Sequence, residues 1–460
     1  MAMPAPALAA SGAVAAPARR FDWSRPFCPT RLAEWVAGRT GPAEADAPVR
    51  CTVVVQSAWN AHAPGPGVYA VEIPDRIRRA LLCMPRVARD AGASVGLRPS
   101  SRAISLDQLP SYLAGVHQPE YIQRLLAEAA VSAESPGSLA SGDLYLSPGT
   151  PTGVGAALGT LLDAVDLAAA RGRSPVPLAA RDAARQHLLA RSADVSPAPG
   201  PEGPAELAAT FALVRPPGHH CTHAAPMGFC FFNNAVAAAR HAFTRHGIEH
   251  IAIIDFDLHH GNGTQDLVVD INQKRALDPE APPRLFFGSL HDIKSYPCEL
   301  YDAAAIFSAS ICLMDHDHAL WNVHLQPWAD FGEFLGHYDG QYRALLTQAA
   351  HFLAGCPPDR SLIIVSAGFD AHELEYPSIQ RQGRRLPAEF YYLFCRDLAL
   401  LARAHTDGKM VFALEGGYSQ GALANGLYSA LAGLAGLGPD HATMAGPGRM
   451  ARPSRPSDNP

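Results

Sequence analysis

Residues 251–265 read IAIIDFDLHHGNGTQ. The run Ile251–Phe256 has the β-branched, apolar make-up of a buried strand, and it leads straight into Asp257 and His259. Residues two apart lie on one face of an extended chain, so Asp255, Asp257 and His259 point the same way. One aspartate after a strand is most often a helix cap. Three polar groups on one face, two of them carboxylates, are costly to pack together unless a cation sits among them. The spacing predicts a cation site at the end of a strand.

Similar runs recur along the chain. Thr52–Val55, Phe211–Val214, Leu285–Phe287, Leu362–Val365 and Met410–Leu414 alternate with helical stretches, the rhythm of a parallel sheet built from βαβ units. Helices are expected over Asn234–Arg245, closed by Gly247, and over Pro387–Ala404, where Phe390, Leu393, Leu398 and Leu401 recur at helical spacing. The fold class is α/β: a single large domain, residues 49–437, with a central parallel sheet flanked by helices. Sites in such sheets form beyond the carboxyl ends of the strands, and there the chain keeps its unusual residues.

SLIIVSAGFDAHE (361–373) ends its strand in Asp370. With Asp257 and His259 it makes a three-ligand set without thiolate, which leaves a position for water and predicts a hydrolytic metal centre. FALVRPPGHHCTHAAPMGFCFFNNA (211–235) places His219 and His220 after a turn fixed by Pro216, Pro217 and Gly218. A His-His pair alone carries little weight, since chance supplies roughly one at this histidine content. The rigid turn at a strand end marks this one as an acid–base candidate. Finally, Met410–Leu414 passes into Glu415-Gly416-Gly417-Tyr418, which presents a phenol suited to a developing oxyanion.

Composition sets the outer bounds. The 460 residues carry 43 acidic and 37 basic side chains, a formal charge of -6, so no global basic excess draws the chain to nucleic acid. Nine cysteines, odd in number and never spaced C-x-x-C, argue against a disulfide framework and a thiolate zinc cluster, and for a reducing compartment rather than secretion. The uncharged run Gly421–Pro439 reads as a buried helix and not a membrane span. No internal repeat is visible. Irregular chain is expected in an N-terminal tail, residues 1–48, in a Pro/Ala/Ser/Gly-rich insertion at about 170–206, and in a disordered C-terminal tail, residues 438–460.

The segments RPPGHH, GFCFFNN, DFDLHHGNGTQ, SAGFDA and LEGGY stand here in one order. In this the chain resembles the zinc-dependent histone deacetylases of the arginase/deacetylase fold, over about residues 50–435. Asn262 and the phrase GFDA resemble the class II branch. SLHDIKSYPCE, WNVHLQPW and FYYLFCRDLALLARAHTDGKMVFALEGGYS resemble a fungal class II-type subgroup.

The resemblance implies a role for each matching residue. Asp257, His259 and Asp370 would hold zinc, and Tyr418 would polarise the substrate carbonyl. His220 would be the main general base and acid, with His219 its electrostatic partner, oriented by Asp255. Asn262 stands where class I members have an aspartate, so His220 should be less basic than theirs. Asp255, Asp257, His259, Ser289 and Leu290 would line a structural potassium site. Gly228, Phe229, Tyr296 and Gly417 would shape the acyl-lysine tunnel, with Tyr296 where many relatives have Phe. Asp143 would grip the substrate backbone at the rim, and Arg76 would serve an internal acetate channel.

The implied activity is hydrolysis of N-acetyl-lysine in proteins, histone tails foremost, releasing acetate and lysine. Acetylated protein is the implied partner, with no direct nucleic acid and no membrane; a homo-oligomer or a corepressor-type complex stays open. The implied location is the nucleus, the cytoplasm, or both. Two alternatives stand beside it: an amidohydrolase acting on acetylpolyamines or other small molecules, and a non-catalytic scaffold that binds acetyl-lysine.

Overall fold

Among the described residues, nine strands form one sheet in the order β2-β1-β3-β9-β8-β4-β5-β7-β6. The computed structural model describes residues 29–37, 50–132, 143–172, 174–189, 207–278 and 283–445. The strands are β1 (Cys51–Val55), β2 (Val95–Pro99), β3 (Ala208–Ala212), β4 (His250–Asp255), β5 (Arg284–His291), β6 (Cys312–Leu313), β7 (Leu320–His324), β8 (Ser361–Ala367) and β9 (Lys409–Leu414). All pair in parallel except β6, which runs antiparallel to β7 at the edge. The six strands read from the sequence are β1, β3, β4, β5, β8 and β9, and each is buried at every position or every position but one. Burial on both faces is why they read as unbroken apolar runs.

The alternation of side chains along β4 and its exit separates chemistry from core. Asp255 and Asp257 face the site, while Phe256 points the other way into a buried aromatic cluster. Its ring lies 6.2 Å from Phe369, 5.9 Å from Tyr391 and 5.9 Å from Phe394. Burying a ring of this size is worth about 1.5–3 kcal/mol, so the strand that carries the aspartates is anchored by the residue between them. The helix Ala388–His405 supplies three of these aromatics, Phe390, Tyr391 and Phe394. It covers one face of the sheet beside the uncharged helix Gln420–Ala435, which is buried as expected.

Four expectations need correction. β3 begins three residues before the expected Phe211, although Leu213 still donates its N–H to Val54. The insertion at 170–206 contains a helix, Leu178–Leu189, packed on Ala388–His405. Its sequence LAARDAARQHLL is rich in strong helix formers, which a count of Ala together with Pro, Ser and Gly hides. The tail before residue 49 contains the helix Pro29–Ala37, whose Leu32 is buried in the core. Beyond 438, Pro439–His441 forms a short turn with Ala442 buried behind it. Residues 1–28, 38–48, 190–206 and 446–460 lie outside the described residues.

Among the described residues one helix, Thr150–Arg171, is long and apolar enough to cross a membrane, and 72% of its 18-residue apolar window is buried inside the fold. None of the described cysteines is paired in a disulfide.

Candidate active site

At the carboxyl ends of β3, β4, β8 and β9 the chain's distant motifs converge. Asp257 and His259 follow β4, and Asp370 follows the adjacent β8. His259 Nδ1 lies 3.1 Å from Asp257 Oδ1 and 2.9 Å from Asp370 Oδ2. The three ligand atoms lie within 4.8 Å of one another, and both aspartates are buried. Burial alone would lower the imidazole pKa of His259, yet the charges of Asp370 and Asp257 outweigh it and raise it to about 10. Positive charge is drawn to this point.

The backbone is fitted to the carboxylates. Gly416 donates its N–H to Asp257 Oδ2 at 2.8 Å, and Leu258 donates to Asp370 Oδ1 at 2.9 Å. A Cβ at Gly416 would meet both carboxylates, and one at Gly368 would collide with Asp257. Space that side chains would fill is kept open between two buried acids, so the donor set fits a metal ion.

His219 and His220 stand beside this triad. His219 donates Nδ1–H to Asp255 Oδ2 at 3.0 Å, and His220 donates to Asn262 Oδ1 at 2.8 Å. The partners divide the pair. Burial opposes charge on His219, but Asp257 and Asp255 overcome it and raise its pKa to about 10. Burial, then the charges on His219 and His259, drives His220 well below the usual imidazole range. A neutral amide under His220 cannot offset that push, so its Nε2 is free to accept a proton.

Tyr418 completes the group. Its backbone N–H donates to Glu375 Oε2 at 2.7 Å, and its carbonyl accepts from Arg79 at 2.6 Å. The ring lies 5.8 Å from that of Phe229, with the Arg76 guanidinium 4.8 Å from its centroid. A cavity of about 300 Å³ opens above, lined by His219, His220, His259, Gly228, Phe229, Tyr296, Asp143, Gly416 and Tyr418 among others. Phe229 has φ +65°, which costs an L residue energy, and Gly228 before it has φ +52°, with the His220 ring where a Cβ would be. This backbone turns the aromatic wall into the cavity while leaving the histidine room. The Tyr296 ring stands edge-on to His220 at 5.1 Å.

Most expected residues are brought together here. Gly417 is the exception: it lies behind the wall, its carbonyl accepting from Arg76 Nε at 2.6 Å, and it does not line the cavity. Arg76 itself is bound to Glu72 and to the carbonyls of Glu415 and Gly417. Asp255 pairs across the sheet with Ser289, and both are fully buried with Leu290 close behind. The sequence reading gave no role to Glu415, Glu375 or Glu72. Glu415 accepts from Gly218 at 2.7 Å and from His219 at 3.3 Å, holding the histidine turn. An acid closing an apolar strand was its signal, the same one that marked Asp370. Glu72 sits between Arg76 and Arg215, all with fully buried side chains. An arginine ending the apolar run FALVR was the hint there.

The architecture and site define an α/β protein built around a buried carboxylate–imidazole cluster that could hold a metal ion, with a histidine pair beside it. The histone deacetylase domain family matches residues 72–434, and the chain belongs to that family. Similar proteins include histone deacetylase HOS3 of Saccharomyces cerevisiae, 38% identical over 252 residues, or 49% of this chain and 36% of that one. Histone deacetylase 14, chloroplastic, of Arabidopsis thaliana is 36% identical over 49% of this chain and 46% of its own. Histone deacetylase clr3 of Schizosaccharomyces pombe is 30% identical over 52% of this chain and 32% of its own. The chain thus spans less than half the length of these relatives. A crystal structure of the HDA15 HD domain shares the fold with a TM-score of 0.57 at 22% identity, covering 84% of this chain and 90% of that one.

Proposed function

We propose that the chain hydrolyses N-acetyl-lysine in proteins, histone tails foremost, with zinc held by Asp257, His259 and Asp370. The observation that supports this best is the presence of that triad, His220 and Tyr418 around one cavity. Zinc bound there would supply Lewis acidity toward the amide carbonyl and acidify water. The chain's own groups do the rest. His220, neutral and fixed by Asn262, takes the water proton and returns it to the leaving lysine amine. His219, held by Asp255, stands beside His220 and supports it electrostatically as negative charge develops. Tyr418 donates to the tetrahedral oxyanion.

Gly228, Phe229 and Tyr296 shape the passage for the lysine stem, with Gly417 supporting it from behind through Arg76. Asp143 lines the same cavity, and burial raises its carboxyl above the usual range. It is the group suited to accept from a substrate's backbone amides. In the same proposal Asp255, Asp257, His259, Ser289 and Leu290 hold potassium, and the protein works in the nucleus or cytoplasm. The domain boundaries 49–437 and a corepressor-type complex or homo-oligomer are carried over on the resemblance.

The test compares acetyl-lysine peptides with acetylated polyamines, each with and without a chelator. Asp143→Ala should weaken turnover of peptides much more than that of a small acetyl-amine, which has no backbone amides to grip. Equal losses, or a higher kcat/KM for acetylpolyamines in the unaltered protein, would transfer the assignment to a small-molecule amidohydrolase.

A further inference from the structure

A second cluster with ligand chemistry lies on the helices Thr150–Arg171 and Asn234–His246, where none of its members lines the cavity. His241 Nε2 and His246 Nε2 each lie 2.7 Å from the same oxygen, Asp166 Oδ1. The three ligand atoms fall within 4.8 Å of one another. We propose that Asp166, His241 and His246 form a second metal site, for a divalent ion of zinc's type, that ties these two helices together.

Two imidazoles and one carboxylate, with no thiolate, are the donors preferred by zinc, copper and nickel. A lone hydrogen-bonded cluster would need both rings in the same Nε2–H tautomer, aimed at one carboxylate oxygen. An ion takes the place of both protons and satisfies all three donors together. A tetrahedral ion with bonds of about 2.0–2.2 Å sets its ligands about 3.4 Å apart, so each nitrogen must retreat by roughly 0.7 Å. The side chains are 10%, 19% and 39% exposed for His241, His246 and Asp166, which leaves room for that retreat and an open position toward solvent.

The surroundings are built for the purpose. Arg102 donates to the other carboxylate oxygen, Asp166 Oδ2, at 2.8 Å, fixing the acid's orientation as outer partners of metal ligands do. Asp163, 3.5 Å from Arg102, offsets that guanidinium's charge. Burial works to raise the Asp166 carboxyl pKa, but the two histidines and Arg102 outweigh it and hold it below its ordinary range. His246 is the last residue of its helix, where the carbonyl ends favour a cation. The helix it closes begins at Asn234, directly after the GFCFFN segment that carries the Phe229 wall. An ion here stabilises the folded chain by mass action and is not required for catalysis.

The measurement is the metal content of the full chain after equilibrium dialysis against zinc. The unaltered protein should retain two equivalents. His246→Gln and His241→Asn, which keep a polar group near Asp166, should each retain one and still hydrolyse acetyl-lysine peptide. Asp370→Ala should retain one, and Asp370→Ala with His246→Gln none. Cobalt loaded into Asp370→Ala should give visible absorption bands that vanish in the double variant. A single equivalent in the unaltered protein, or two in both histidine variants, would overturn the proposal without touching the catalytic assignment.

Discussion

Glu72→Gln offers a direct measure of what holds the Tyr418 turn in place. Glu72 Oε1 accepts from Arg76 at 3.0 Å and from Arg215 at 2.8 Å, and Oε2 accepts from Arg215 at 2.6 Å and Tyr145 at 3.1 Å. His62, 3.6 Å away, is pushed by burial down to about 3, so it stays neutral and Glu72 answers two guanidiniums alone. At a charge separation of about 4 Å and an effective dielectric near 20, each pair carries about 4 kcal/mol gross. Desolvation and the bonds that glutamine keeps offset part of this. Removing one partner of a buried pair costs about 3–5 kcal/mol.

Burial acts to raise the carboxyl pKa of Glu72, but Arg215 and Arg76 reverse that and set it at about 2 against an ordinary 4.5. That difference corresponds to about 3 kcal/mol, in line with the first figure. Because the folded pKa is depressed, the contribution is present above about pH 4.5 and is lost as pH falls through about 2. Equilibrium urea unfolding at neutral pH should therefore show Glu72→Gln less stable by about 3–5 kcal/mol, with a flatter pH dependence in the acid range. Asp75→Asn is the control, since Asp75 pairs with Arg78 and Arg79 while 40% exposed, a setting worth at most about 1 kcal/mol. Arg76 also donates to the Glu415 and Gly417 carbonyls, so kcat should fall with the pair. A loss no larger than that of Asp75→Asn would refute the charge argument.

Other consequences can be checked independently. Tyr418→Phe should lower kcat about 10²–10³-fold on acetyl-lysine peptide with metal content unchanged, because the turn is held through backbone groups; near-normal turnover would reduce Tyr418 to a structural residue. Asp370→Ala should lose one equivalent of metal and all activity, read by metal analysis beside the peptide assay. Gly416→Ala should weaken metal retention during dialysis, because its Cβ meets the Asp257 and Asp370 carboxylates; a variant that keeps the ion as tightly would show that the turn can yield. His220→Ala should be at least as damaging to turnover as Tyr418→Phe, and His219→Ala should leave more activity.

Residues whose environment is uniform were legible in the sequence. Fully buried strands such as β4 and β8 announce themselves as apolar runs, and the acids that close them stand out. β2 and β7 were not found because they lie toward the sheet edges, where VGLRP and LWNVH mix polar residues and a proline with apolar ones. Strand alternation brought out Asp257 and His259, and a second strand ending in an acid brought out Asp370, but the stations of Glu415 and Glu375 were not legible. Their partners are backbone N–H groups of segments far away in sequence, Gly218 and Tyr418, and no pattern in one segment encodes a bond to another segment's backbone. A glycine pair does not reveal which of its members faces the cavity: Gly416 lines it, while the Gly417 carbonyl accepts from Arg76.

The strand order has a consequence for how the chain is made. β1, β2 and β3 form one group, and β4, β5, β7 and β6 another; β8 and β9, the last two strands in sequence, lie between them and join the two. While the ribosome has yet to deliver these two segments, the nascent chain holds two partial sheets with bare edges and only two of the three proposed metal ligands. Long-range closures of this kind are slow and expose strand edges meanwhile. On the proposed ligand set, metal uptake must then follow delivery of β8, so loss of the segment bearing β8 and β9 should leave an aggregating polypeptide rather than a weakened enzyme.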